Sequence, residues 1–127
     1  MYAWAKGSYF NMVVTLHANS ITLNSCAATN FEDVRWVMLG LDKSGKKLAI
    51  KPIAKNEIDI KAVPLDKLHK ISIGKGYARI TNKGMTDEIS TLLGIKLNSL
   101  KFSALYDESD DMLIVDLCDR IQKEVEL

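Results

Sequence analysis

Polar and apolar residues alternate with a period of two along much of this chain, and turn-forming residues break the alternation at intervals. Ser20-Ile-Thr-Leu-Asn24, Lys70-Ile-Ser-Ile73 and Tyr77-Ala-Arg-Ile-Thr81 each send every second side chain to the same side, which predicts short, half-buried strands. Asn11–His17, rich in β-branched and apolar residues, reads as a further strand after a ragged aromatic segment from Tyr2 to Phe10. Between them, His17-Ala-Asn-Ser20 and Gly74-Lys-Gly76 have the composition of turns.

Two longer stretches read as β-hairpins. Arg35–Ile53 carries Trp36, Val37, Met38 and Leu39 inbound and Leu48, Ala49 and Ile50 outbound, with Asp42-Lys-Ser-Gly45 between them and Pro52 expected to end the second strand. Lys101–Leu117 repeats the plan around Asp107-Glu-Ser-Asp110. Helical spacing is confined to three places. Asn24 or Ser25 can cap a weak helix of about two turns carrying Cys26, Ala27, Asn30 and Phe31. Met85, Ile89, Leu92 and Leu93 share a face of a better helix, with Thr86 as the expected cap, Asp87 and Glu88 near its positive end, and Gly94 as its stop. Leu117, Ile121 and Val125, four apart, predict a short C-terminal helix over 117–127.

The order strand, helix, strand, turn, strand thus occurs twice, as a pseudo-repeat over 11–53 and another over 70–117. A linker over 54–69 joins them, and Ile58, Ile60 and Ala62 could form a short edge strand within it. Ser20-Ile-Thr-Leu23 aligns with Arg79-Ile-Thr-Asn82, Asp42 and Ser44 with Asp107 and Ser109, and Leu48 and Ile50 with Leu113 and Val115. A lone hairpin with one short helix cannot bury its apolar face, whereas two such units can close a common core by interleaving. The expected fold is therefore a single α+β, mainly β domain over 1–127, made of two pseudo-repeated strand-helix-hairpin units.

Gly76-Tyr-Ala-Arg-Ile-Thr81, Leu93-Gly94 and Lys101–Leu117 in the second unit, with Ile21-Thr-Leu23, Arg35–Ile50 and Lys51-Pro52 in the first, carry a resemblance to a family. The chain resembles the AbrB/MazE/SpoVT-like swapped-hairpin proteins of bacterial transition-state regulators and antitoxins. Neither unit has both the proline after the first strand and the helix arginine common in that family, and the Gly-Asp pair before the hairpin is missing. The resemblance implies a swapped-hairpin barrel and, secondarily, duplex DNA as a partner, met by cations around the first strand and the loop into the helix. By that motif position it points to Arg79 and Lys83. Lys75 lies close by, and the candidates in the first unit are Arg35 and the Lys43, Lys46 and Lys47 of the hairpin turn. No cation stands at the equivalent Ser20–Asn24 of the first unit.

Composition narrows this only slightly. The 127 residues carry a formal net charge of +1, so overall charge favours neither nucleic acid nor an acidic membrane surface. The near-neutral balance instead favours the alternative of a protein–protein module, antitoxin-like or accessory to a mobile element, in which the repeat is only scaffold. Residues 1–63 hold 8 Lys and Arg against 5 Asp and Glu, and residues 64–127 hold 9 against 11. The lysines of the first hairpin fit a sheet edge protected against aggregation. No apolar run is long enough to cross a bilayer, and the opening residues lack a signal-peptide pattern, which predicts a cytoplasmic protein that does not engage membranes. Cys26 and Cys118 lack metal-ligand or redox-motif spacing and are expected to be thiols. A homodimer stays open.

No catalytic constellation is legible. His17 and His69 sit at strand ends, Gly74-Lys-Gly76 lacks the rest of a phosphate-binding fingerprint, and the Asp107–Asp111 carboxylates read as a solvated turn. The expectation is a non-enzyme without metal or cofactor. Trp36, Phe102 and Tyr106 read as core or sheet-face residues; serving as a stacking platform would require them to be exposed beside cations.

Overall fold

Each strand finds two antiparallel neighbours, so the sheet has no free side. The computed structural model describes residues 11–59 and 64–121. Its strands are β1 (Met12–Leu16), β2 (Ser20–Leu23), β3 (Trp36–Asp42), β4 (Lys47–Ile53), β5 (His69–Gly74), β6 (Tyr77–Thr81), β7 (Leu100–Asp107) and β8 (Met112–Ile121). They close into a barrel in the order β1-β2-β6-β5-β3-β4-β8-β7, which removes the exposed edges a sheet of this size would otherwise present.

The four hairpins β1–β2, β3–β4, β5–β6 and β7–β8 are the local building blocks. Exchanging β1–β4 with β5–β8 leaves the cyclic order unchanged. The ladders obey the same exchange at two places. In β2–β6, Ile21 faces Ile80, flanked by Ser20 opposite Thr81 and Thr22 opposite Arg79. In β4–β8, Ala49 faces Ile114, flanked by Leu48 opposite Val115 and Ile50 opposite Leu113.

Alternation decides what fills the barrel. Val14, Leu16, Ile21, Leu23, Val37, Leu48, Ile50, Ile80 and Leu113 are each fully buried, and their neighbours along the strands point outward. A barrel of eight strands is just wide enough for such side chains to fill it. Burying each large aliphatic chain contributes about 1.5–3 kcal/mol, and Phe31 and Phe102, both buried, add to the same cluster.

Helix α1 (Ser25–Ala28) continues into a 3-10 turn over Thr29–Phe31, α2 covers Lys55–Asp59, and α3 covers Lys83–Leu93. Helices α1 and α3 begin at opposite ends of β1. Asn24 caps α1 by accepting from the Ala27 amide, and its side chain also accepts from Val13 N and donates to Asn11 O. Asn82 caps α3 by accepting from Met85 N, next to the β1–β2 turn.

Four differences from the pattern-based expectation have physical causes. Helix α3 starts at Lys83, ahead of Thr86, because Asn82 supplies the cap. Thr86 is instead 1 % exposed inside the helix and donates its hydroxyl to Ala18 O at 2.7 Å. Strand β4 runs one residue past Pro52, which is tolerated because β4 pairs with β8 only over Lys47–Ile50 and that side of Pro52 needs no amide. Residues 117–121, expected as a helix, continue β8, while 122–127 lie outside the described residues. A spacing of four is even, so Leu117 and Ile121 share a strand face as readily as a helix face, and pairing with β7 decides for the strand. In the linker, Lys55–Asp59 is helical where an edge strand was expected from Ile58, and that reading's remainder falls on residues 60–62, outside the description. Asn24 as a cap and Gly94 as a stop are as expected; Gly94 takes φ 67° and donates to Ser90 O.

Candidate nucleic-acid interface

Arg79, Lys75, Lys83 and Arg35, singled out from sequence, fall into three environments. Strand β6 lies between β2 and β5. Because Ala78 and Ile80 point inward, Tyr77, Arg79 and Thr81 point outward and are exposed. Arg79 stands opposite Thr22 on β2 and Ser72 on β5, so its immediate cross-strand neighbours are hydroxyls rather than carboxylates. Its guanidinium lies 5.8 Å from the centre of the Tyr77 ring, a cation–π contact worth about 0.5–1 kcal/mol at an exposed site.

Lys75 occupies the exposed tip of the β5–β6 hairpin, beside Gly76 at φ 83°. Gly74 has a separate role. A Cβ there would come within 2.4 Å of the Tyr77 ring, so its bare Cα lets that ring fold over the hairpin end toward Arg79. Lys75 and Arg79 therefore share one hairpin.

Lys83 and Arg35 do not join them in the same way. Lys83 opens α3 and places its ammonium 2.9 Å from the Asp87 carboxylate one turn on, an exposed pair that offsets its charge. Arg35 precedes β3, follows Glu32 and Asp33, and binds β5 through its backbone, its carbonyl accepting from Ile71 N at 3.1 Å.

Lys70 was not singled out from sequence and belongs to the same outer surface. It is exposed on β5, turned outward by the burial of Ile71, and stands opposite Trp36 at the start of β3. The signal was available, because Lys70-Ile-Ser already sets Lys70 and Ser72 on one side of Ile71. No carboxylate occurs from residue 67 to 86, a run holding Lys67, Lys70, Lys75, Arg79 and Lys83. Trp36 and Tyr77 are 39 % and 42 % exposed, and each has a cation beside it, whereas Phe102 is buried and Tyr106 packs edge-on against Phe31. Of the three aromatics considered from sequence, only Trp36 is both exposed and next to a cation.

The histidines are engaged locally. His17 bridges the Ser99 and Thr22 hydroxyls, each at 3.1 Å, and His69 lies 3.0 Å from the Asn82 amide nitrogen. His69 also borders a shallow cleft of about 440 Å³ between β3 and the start of α3, where Lys43 and Lys67 face Asp66 and Glu88. Among the described residues, neither histidine has a carboxylate partner, and no three of His, Cys, Asp and Glu gather as a metal-binding group.

The carboxylates with perturbed affinities sit in hairpin turns. The Gly45 amide and then the Ser44 hydroxyl hold Asp42 below the usual carboxylate value, while the Ser109 hydroxyl and then the Asp110 amide do the same for Asp107. Both arrangements stabilise a turn. Burial, followed by the hydrogen bond to Asp111, pushes the Tyr106 hydroxyl well above the usual tyrosine range.

Among the described residues no helix is long and apolar enough to cross a membrane. No family model matches the chain, and neither the curated proteins nor the solved structures give a match.

Proposed function

We propose that the chain is a duplicated swapped-hairpin barrel of the AbrB-like kind, a non-catalytic regulator-like protein that binds duplex DNA through the outer surface of β5 and β6. The duplication reading is supported by the strand order and by the β2–β6 and β4–β8 ladders, which are unchanged when the two halves are exchanged. The DNA reading rests on one observation: Arg79, Lys70 and Lys75 are exposed on a single hairpin in a run of sequence free of carboxylates. Cations on one face meet successive phosphates, and a flanking arginine can reach a base edge.

Duplex binding measured across salt concentrations tests it. Three phosphate contacts predict a slope of roughly −3 in log affinity against log salt. Changing Arg79 and Lys70 together to Ala should lower the affinity and flatten that slope by about two contacts. Lys83→Ala should change little, since Asp87 already offsets that charge. Absence of duplex binding at low salt would sink the reading. It would leave the protein–protein module, the alternative that the net charge of +1 favours.

A further inference from the structure

The opposite side of the barrel, formed by β3, β4, β8 and β7, has an outer surface of another character. Burial of Val37, Leu48, Ile50, Leu113, Val115 and Ala104 turns Met38, Ala49, Met112, Ile114 and Leu105 outward. The ladder aligns Gly40, Ala49, Ile114 and Leu105 in one row across the four strands. Leu105, at the end of that row, is 77 % exposed. A contiguous apolar row on the outside of a closed barrel marks a contact surface, because nothing in the fold requires it.

Charge identifies what covers it. The β3–β4 turn, with exposed Lys43 and Lys46, projects along the strands beyond one side of the row beside Leu117, whose amide donates to Lys46 O. The β7–β8 turn, with exposed Glu108, Asp110 and Asp111, projects along the strands beyond the other side, where Lys51 donates to Asp110 O. One surface therefore carries a basic end, an apolar middle and an acidic end.

We infer that this surface pairs with a second copy of the same chain, about a two-fold axis lying in the contact roughly along the apolar row. That operation places the row on itself, the basic turn of each copy against the acidic turn of the other, and both contacts form at once. Such self-complementarity is what a closed isologous dimer requires. The inference stands apart from the DNA reading, since it uses the other side of the barrel.

Sedimentation of the full chain over a concentration series at low salt should show a monomer–dimer equilibrium that weakens as salt screens the turns. Leu105→Asp should weaken dimerisation by about tenfold or more while the circular dichroism spectrum is unchanged, since that side chain is exposed. Two charge reversals provide a check independent of Leu105. Lys43→Glu with Lys46→Glu, and separately Glu108→Lys with Asp110→Lys, should each yield a chain that fails to self-associate. Mixing the two variants should restore a dimer containing one copy of each. A chain that stays monomeric throughout the series, including one that captures some other protein, overturns the inference. So does a dimer indifferent to Leu105→Asp and to both reversals.

Discussion

The barrel has two sides that are alike inside and unlike outside. Both β1-β2-β6-β5 and β3-β4-β8-β7 centre on a ladder unchanged by exchange of halves, and both send buried aliphatic side chains into one core. Outward, the first carries Thr15, Thr22, Ser72 and Thr81 with Lys70, Arg79 and an exposed Tyr77. The second carries an apolar row between a basic and an acidic turn. Closure of the sheet constrains every inward residue through volume and register. It leaves outward residues free, so the two sides can differ in surface chemistry without disturbing the fold.

The shared interior should be the most sensitive place to strike. Ile21→Ala and Ile80→Ala, facing each other in the β2–β6 ladder, should each cost about 2–5 kcal/mol in chemical denaturation. Leu113→Ala on the other side should fall in the same range. The double change at Ile21 and Ile80 should be non-additive by about 0.5–3 kcal/mol, as expected for residues in contact. If one side proves markedly more tolerant than the other, the two sides do not share one core.

The caps provide the next test. Asn24→Ala and Asn82→Ala should each cost about 1 kcal/mol. Asn24 should matter more although α1 spans 4 residues and α3 spans 11, because its side chain also ties down Val13 and Asn11. Equal losses, or a larger loss at Asn82, would mean that α1 contributes little to closing its end of the barrel.

Smaller effects follow from pH at the hairpin tips. Asp42 and Asp107 have depressed pKa values, so their contribution is present above the unfolded value and is lost as pH falls through the folded one, below about pH 4. Asp42→Asn with Asp107→Asn should therefore lower the melting temperature slightly at neutral pH, leave it unchanged at the acid end and so flatten the acid limb of the profile. Tyr106 titrates in the opposite sense. Its pKa is raised, so its contribution is present below the unfolded value of about 10 and is lost as pH rises beyond it. Ultraviolet titration should show one late-ionising tyrosine that Tyr106→Phe removes.

Much of the fold was legible because alternation directly encodes inward and outward positions. Ile71, Ala78, Ile80, Leu113 and Val115 are buried where their spacing puts them. The failures came where a pattern fits two geometries or where partners are distant in sequence. Leu117 and Ile121 satisfy helix and strand alike, and only pairing with β7 distinguishes them. Thr86 looks like a cap until Ala18 accepts its hydroxyl hydrogen across 68 positions. The candidate surface was half legible. Arg79 and Lys75 could be read from the hairpin, but Lys70 gains meaning only when β3 brings Trp36 beside it. Likewise, Lys83 is weakened by an Asp87 that the sequence reading treated as helix-end chemistry alone.

The central claim is that the outer surface of β5 and β6, and not the lysine-bearing β3–β4 turn, meets nucleic acid. Removing two charges from each side tests it most directly. The affinity of Arg79→Ala with Lys70→Ala for one duplex is measured over a salt series and compared with that of Lys43→Ala with Lys47→Ala. The first variant should lower the salt slope by about two contacts and the second should leave it unchanged. A slope that falls for the β3–β4 turn variant and holds for the Arg79 variant would contradict it.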